Sequence, residues 1–206
     1  METRRSFIKK TGMGVGACLL GTAVTAKAPQ QSYGSLKQVI AAWPFMANGP
    51  KWSAEIFLKK VASLGVSGVE LFPAQQWGML KEYDMVCAAT KSHGFVRGMN
   101  NKNHWPECFE LLEKAINVTG EAGFPNVMTF TGMEDTSNEV HGSRVSLDEG
   151  LRNCVEGYKK IAQLAEKKGV TLILEPLNTK INEPMKGHPG YQGDHIDYCV
   201  EIVKSV

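Results

Sequence analysis

The stretch VTLILEPLN at positions 170–178 decides the fold, because it is a continuous apolar run that ends in a carboxylate and a proline. Strands that are apolar without alternation are typical of parallel sheets covered on both faces. Proline has no backbone N–H, so Pro176 ends the hydrogen-bonded ladder and leaves Glu175 at the carboxyl end of the strand. Four further short apolar runs predict strands at positions 39–42, 69–72, 96–99 and 127–130.

Helical segments separate these predicted strands, and the segment before position 170 is the clearest. Its apolar residues recur every three or four positions and form one stripe, which predicts a helix that packs on a sheet. The stripe consists of Leu151, Cys154, Val155, Tyr158, Ile161, Ala162 and Ala165. Glycine tolerates the left-handed conformation that ends a helix, and a glycine follows four of the predicted helices. These glycines are Gly65, Gly94, Gly123 and Gly169.

The alternation of strands and helices at about 30 residues predicts right-handed β-α-β units and a parallel sheet. A doubly wound sheet favours a glycine-rich phosphate turn after its first strand, but the strand at 39–42 is followed by the sequence WPF. A (β/α)8 TIM barrel explains both the uniform period and the missing turn, and it places chemistry in the loops after the strands. We therefore predict an α/β fold of the barrel type.

The number of units predicts an incomplete barrel. Residues 36–206 supply about five β-α units and a final helix, whereas closure of the barrel needs eight units. We therefore expect a truncated product or an incomplete gene model. An open sheet of this kind exposes an edge strand, which invites pairing with other chains.

The first 28 residues predict an export signal rather than part of the fold. The sequence TRRSFIK at positions 3–9 precedes an apolar stretch at 12–24, and small residues at 26–28 suit a peptidase. This pattern is typical of a twin-arginine signal peptide and predicts a periplasmic or otherwise exported protein. The apolar stretch before Cys18 is short for a lipid-attachment site, which disfavours a lipid-anchored form. Residues 29–35 are a polar connector.

Charge and cysteine content exclude several classes of protein. The chain has a net charge of +2, but residues 1–28 contain five basic side chains and one acidic side chain, so the remainder carries −2. A nucleic-acid-binding protein usually has a basic face, and no such face is predicted here. No apolar run reaches the roughly 18 residues of a membrane span. The four cysteines after Cys18 form no CxxC pair and are expected to be free thiols.

Two carboxylates at strand ends are the candidate functional residues. Glu175 should lie at the barrel mouth, where a partly buried charge needs a metal, a cation or hydrogen bonds. The alternative is a structural ion pair. Glu70 occupies a similar position on the second predicted strand, and its alternative is a pair with a neighbouring basic side chain that holds the mouth together.

Three segments carry a resemblance to a known family. They are GVELF at 68–72, LEPLNT at 174–179, and HPGY at 188–191 followed by Asp194 and His195. Together they resemble the hydroxypyruvate isomerase branch of the xylose-isomerase-like TIM barrels, a superfamily that also includes ketose 3-epimerases. The resemblance covers residues 36–206. It implies a divalent metal, Mg or Mn, and only Glu175 matches one of the family's metal ligands; the remaining ligands are expected beyond Val206.

The resemblance also implies a reaction. Hydroxypyruvate and tartronate semialdehyde interconvert through an enediolate, which a metal stabilises while a carboxylate moves the proton. Glu175 would be the metal ligand and an acid/base group. Glu70, Asn178 and His188 would bind the substrate. For His188 the alternative is an exposed loop histidine.

Other functions remain open at this point. Within the same superfamily, the chain could be a ketose 3-epimerase or another sugar isomerase. A DNA-repair endonuclease shares the fold, but the acidic body of the chain and its five histidines argue against it. The alternative outside the enzymes is that the chain is a truncated remnant without catalytic activity. The expected partner is a small keto acid or sugar, and the sequence is compatible with a homo-oligomer.

Overall fold

The computed structural model describes residues 36–184 and 186–206. The predicted signal peptide at 1–28 and the connector at 29–35 lie outside the described residues. The strands and longer helices alternate along the chain as β1 (Val39–Ala41), α1 (Ala54–Ser63), β2 (Gly68–Glu70), α2 (Gly78–Glu82), β3 (Val86–Lys91), α3 (Trp105–Glu121), β4 (Asn126–Thr129), α4 (Leu147–Lys167), β5 (Thr171–Leu174) and α5 (Ile196–Ser205).

The five strands form one parallel sheet in the order β1-β2-β3-β4-β5. Strands that are neighbours in sequence are therefore neighbours in space, as in a TIM barrel. The predicted partial (β/α)8 barrel is confirmed. A register shift between Val69 and Glu70 interrupts the pairing of β2 with β3.

The helices cover one face of the sheet through two clusters of buried apolar side chains. One cluster joins α1 and α2 to β1, β2 and β3, and includes Phe57, Leu80, Val69 and Cys87. The other joins α3, α4 and α5 to β4 and β5, and includes Leu112, Ile161, Ile202 and Val127. We call this covered face the helix face. The opposite face lines the interior of a (β/α)8 barrel, and we call it the inner face.

The helix boundaries follow local chemistry. The glycines at the ends of α1, α3 and α4 have positive φ angles, as predicted: 73° at Gly65, 71° at Gly123 and 66° at Gly169. At the other end of α4, the hydroxyl of Ser146 accepts a hydrogen bond from the backbone N–H of Glu149 at 3.3 Å. This contact satisfies one of the free N–H groups at the helix start.

The third strand was predicted at the wrong place. It spans Val86–Lys91, and residues 96–99 belong to the loop that follows it. The preceding helix is short because Asp84, with a φ of 53°, adopts the left-handed conformation that the prediction assigned to Gly94. Residues 96–99 nevertheless run beside the chain after β4, and the backbone N–H of Asn100 donates to the carbonyl of Thr131 at 2.8 Å.

Two further expectations concern the whole fold. Cys87, Cys108, Cys154 and Cys199 are buried free thiols, as predicted. Within the part of the chain that the structure describes, no helix has the length and apolar character needed to cross a membrane.

Candidate active site

Glu175 and Glu70 lie on the inner face of the sheet. Side chains alternate between the two faces along a strand. Leu172 and Leu174 pack against the helix cluster, so Glu175, one position further, points to the inner face. On β2, Val69 is fully buried in the other helix cluster, and Glu70 therefore also points to the inner face.

The two carboxylates are close enough to influence each other. Both side chains are half-buried. Burial raises the pKa of the Glu175 carboxyl above its ordinary value, and the negative charge of Glu70 raises it further. The protonated form of Glu175 is thus favoured more than in water, and a bound cation would favour the ionised form instead. A carboxyl group with a raised pKa holds its proton more readily than an ordinary carboxyl group, which suits a group that must both remove and return a proton.

Tyr191 fixes the backbone at Glu175. Its hydroxyl accepts a hydrogen bond from the N–H of Thr131 at 2.9 Å and donates one to the carbonyl of Glu175 at 2.8 Å. The N–H of Glu175 donates to the backbone carbonyl of Thr129 at 3.1 Å. The tyrosine hydroxyl therefore bridges β4 and β5 just beyond the end of their ladder.

The loop after β5 carries the other two predicted site residues. The Asn178 amide donates to the carbonyl of Lys186 at 2.9 Å, and its side-chain oxygen accepts from the N–H of Lys180 at 3.0 Å. This side chain thus holds its own loop together, and its contact with a substrate stays a prediction. The carbonyl of Asn178 also accepts from the N–H of His188 at 2.7 Å.

His188 is half-buried rather than a freely exposed loop residue. Its ring lies against the ring of Phe95, with 4.2 Å between the ring centroids. Phe95 belongs to the loop after β3, so this contact joins two loops at the mouth of the barrel. His188 therefore lies where these two loops meet, and its contact with a substrate stays a prediction.

A cavity of about 310 Å³ lies beside Phe95 and contains a residue that the sequence analysis missed. Its walls include Lys91, His93 and Phe130. Lys91 is the last residue of β3, so its position matches that of Glu70 and Glu175 at the ends of their strands. The signal was present in the sequence AATK, but the third strand was predicted ten residues further on.

His93 is a fixed, neutral part of the cavity wall. Its Nδ1 lies 2.9 Å from the carbonyl of Gly94 and 3.1 Å from that of Arg97, and its Nε2 lies 2.9 Å from the hydroxyl of Thr129. Burial lowers the pKa of His93. Two carbonyls at Nδ1 favour a proton there, which leaves Nε2 as the acceptor for the threonine hydroxyl.

A larger cavity is not part of this site. It has a volume of about 520 Å³ and lies on the helix face, between α4, α5 and β5. Its lining is mainly apolar, with residues such as Leu172, Ile202 and Val203. The chemistry-bearing side chains lie on the inner face, which the sheet separates from this cavity.

The oxygen donors of Glu70 and Glu175 suit a hard divalent cation such as Mg²⁺ or Mn²⁺. Mg²⁺ is commonly held by one or two carboxylates, with water and substrate as its other ligands. In residues 36–184 and 186–206, no group of three or more His, Cys, Asp or Glu side chains converges on one point. Glu175 therefore fits a hard cation as one ligand, while Glu70 lies on the same face of the sheet with β3 and β4 between the two strands.

Comparison with known sequences identifies a family profile. The profile described as xylose isomerase-like TIM barrel matches residues 58–206. No curated protein sequence matches the chain.

Solved structures share the fold. The AP endonuclease, family 2, from Brucella melitensis has a TM-score of 0.63 at 19% identity, covering 82% of this chain and 64% of that chain. The IOLI protein with a binding zinc atom has a TM-score of 0.62 at 16% identity, covering 83% and 59%. D-psicose 3-epimerase with D-tagatose, from Clostridium cellulolyticum H10, has a TM-score of 0.58 at 14% identity, covering 82% and 60%. The chain thus spans less than two thirds of each of these proteins.

Proposed function

The chain belongs to the xylose isomerase-like TIM barrel family, and from this membership we propose that it is a metal-dependent isomerase or epimerase of small carbohydrates. The observation that carries the proposal is the pair of carboxylates on the inner face, Glu70 and Glu175, in which burial and the neighbouring charge raise the pKa of Glu175. The likeness in fold to D-psicose 3-epimerase supports a sugar or sugar-like substrate.

Glu175 would move the proton. Its carboxylate removes a proton from the carbon next to a carbonyl, an enediolate forms, and the proton is returned. Return to the neighbouring carbon gives an isomerase. Return to the same carbon from the opposite face gives an epimerase, and this outcome needs a second acid/base group. Glu70 is the carboxylate on the inner face that could serve in that role; otherwise its oxygens accept hydrogen bonds from substrate hydroxyls.

Glu175 would also hold Mg²⁺ or Mn²⁺ as one of several ligands. A bound divalent cation supplies Lewis-acid stabilisation to an enediolate. The contribution of the protein is to place the two carboxylates on one surface, with the backbone at Glu175 fixed by the hydroxyl of Tyr191. The zinc in the IOLI structure belongs to that protein, and it supports the choice of a divalent ion for this fold.

Two finer assignments compete within this proposal. Hydroxypyruvate isomerase is supported by the three sequence segments at 68–72, 174–179 and 188–191. A ketose 3-epimerase or another sugar isomerase is supported by the likeness in fold to D-psicose 3-epimerase. A DNA substrate is disfavoured by the charge of −2 outside the first 28 residues. A non-catalytic remnant predicts no reaction with any carbohydrate.

Deuterium exchange tests the proposed chemistry directly. The chain is incubated in D₂O with Mg²⁺ or Mn²⁺ and with hydroxypyruvate, D-psicose, D-fructose or D-tagatose, and incorporation of deuterium next to the carbonyl is followed by NMR. Formation of an enediolate exchanges this proton even when net conversion is small. We expect exchange that is lost in Glu175→Gln and retained in the matched control Glu113→Gln, an exposed glutamate on α3. If none of the four substrates exchanges above background, the result would favour the alternative that the chain is a non-catalytic remnant.

We also propose that residues 1–28 direct export by the twin-arginine route. The test is a fusion of these residues to a fluorescent reporter in a bacterial host. The unmodified fusion should deliver folded reporter to the periplasm, and the double substitution Arg4→Lys and Arg5→Lys should retain it in the cytoplasm. Equal export of the two fusions would contradict the proposal.

A further inference from the structure

Lys91 lies on the inner face, at the same end of the sheet as the two carboxylates. In the pairing of β3 with β4, Thr90 is opposite Val127, which is fully buried on the helix face. The hydroxyl of Thr90 accepts a hydrogen bond from Thr119 of α3 at 2.9 Å, which confirms that Thr90 points to the helices. Lys91, the next residue, therefore points to the inner face.

Lys91 forms no ion pair among the described residues, and the two carboxylates that line the same cavity, Glu107 and Glu139, are paired with Arg97. The other strong cation at the cavity, Arg97, is held by Glu107 at 2.9 Å and by Glu139 at 2.8 Å. Among the residues described by the structure, no carboxylate oxygen lies within 4.0 Å of the Lys91 amine. Lys91 thus offers ammonium protons to a ligand, whereas Arg97 is already occupied.

The cavity around Lys91, whose side chain is exposed, is lined by aromatic rings as well as by charged side chains. Phe95 and Phe130 contribute aromatic rings whose centroids are 6.3 Å apart, and the nitrogens of His93 are used by protein groups. A small ligand with one anionic end and a short carbon chain matches this environment.

We propose that Lys91 and this cavity form an anion subsite, which selects substrates that carry a carboxylate or phosphate group over neutral sugars. The proposal rests on the function proposed above and deepens it. The anionic group of the substrate contacts the Lys91 amine, while its carbonyl carbon reaches the inner face near Glu175. Lys91 is then the residue that determines specificity, and the two glutamates remain the groups that act on the carbon.

Direct binding tests the subsite independently of catalysis. The metal-free chain is titrated with tartronate, inorganic phosphate or D-fructose, and amide chemical shifts are followed by NMR. We expect tartronate or phosphate to shift the amides of residues 91–97, and D-fructose to leave them unchanged. Lys91→Met should weaken anion binding about tenfold, as for the loss of a hydrogen bond to a charged group. Lys91→Arg should retain most of it.

The controls separate the subsite from general charge and from folding. Lys59→Met removes one positive charge from an exposed position on α1 and should leave anion binding unchanged. Thermal unfolding of each variant checks that the fold is intact. Tighter binding of tartronate indicates a carboxylate substrate, and tighter binding of phosphate indicates a phosphorylated one. Equal anion affinity in Lys91→Met and the unmodified chain, or the absence of anion binding by the unmodified chain, would overturn the subsite.

Failure of the two proposals can be distinguished. Anion binding that depends on Lys91, together with no deuterium exchange in any substrate, would leave the subsite in place and remove the proposed reaction. Exchange that depends on Glu175, with anion affinity independent of Lys91, would leave the reaction and remove the subsite.

Discussion

Replacement of Tyr191 by phenylalanine should damage both the stability and the chemistry of the site. The substitution keeps the buried ring, which is 2% exposed, and removes only the hydroxyl. It leaves two backbone groups without their partner, the N–H of the fully buried Thr131 and the carbonyl of Glu175. An unpaired buried group costs about 1–3 kcal/mol, so we expect the free energy of unfolding to fall by about 2–3 kcal/mol.

The same change should slow proton exchange by Glu175. Without the hydroxyl, the segment after β5 loses its bridge to β4, and small displacements of a catalytic group reduce rates by large factors. Urea denaturation followed by circular dichroism measures stability, and NMR in D₂O measures exchange. We expect exchange to slow about tenfold or more, at a temperature where the variant is fully folded.

Tyr198→Phe is the matched control. Its hydroxyl also donates to a backbone carbonyl, that of Leu147 at 3.1 Å, but it makes no contact with Glu175. We expect this variant to lose some stability and to keep the exchange rate. A loss of less than about 0.5 kcal/mol in Tyr191→Phe, or equal slowing of exchange in the two variants, would refute the bridging role.

Three further predictions follow from burial and close packing. Glu175 has a raised pKa in the folded chain, so its ionisation opposes folding. Glu175→Gln should therefore raise the free energy of unfolding at pH 8 and have little effect below about pH 4, where the carboxyl group is protonated in both states. Urea denaturation at both pH values measures the difference. Gly98→Ala should cost about 2 kcal/mol or more, because an added Cβ would lie 2.3 Å from a backbone oxygen, whereas Gly94→Ala, with open space around it, should be nearly neutral in the same assay. Burial raises the pKa of Cys108 to about 12 and also raises that of Cys154, so neither thiol should react with a thiol reagent at pH 8 until the chain is unfolded; rapid labelling of the native chain would contradict their burial.

The sequence was sufficient for the architecture because several local signals agreed. The apolar stripe of α4, the glycines after three helices and the apolar run before Glu175 each specify one element, and their order specifies a parallel sheet. The error at the third strand has a local cause. Asp84 took a conformation that glycine usually takes, so the boundary between α2 and β3 carried no glycine signal.

Side-chain direction at the strand ends was harder to predict. Lys91 and Glu70 each point to the inner face only because of their register with neighbouring strands, and the pairing of β2 with β3 contains an irregularity. Asn178 forms hydrogen bonds with the backbone of Lys180 and Lys186 in its own loop. The short motif EPLN at 175–178 does not specify the conformation of the loop that follows it, so these bonds could not be predicted. The hydroxyl of Tyr191 joins positions that are distant in sequence, and no periodic pattern in the sequence predicts such a contact.

The division of the sheet into two faces separates the residues that hold the chain folded from those proposed to act on a ligand. Both apolar clusters belong to the helix face, while Glu70, Lys91 and Glu175 contribute little to them. Substitutions on the inner face can therefore change which ligand binds while they change the free energy of unfolding little. A library of substitutions at position 91 should therefore yield mostly folded proteins with altered selectivity, whereas substitutions of Glu175 should yield folded proteins that have lost the reaction.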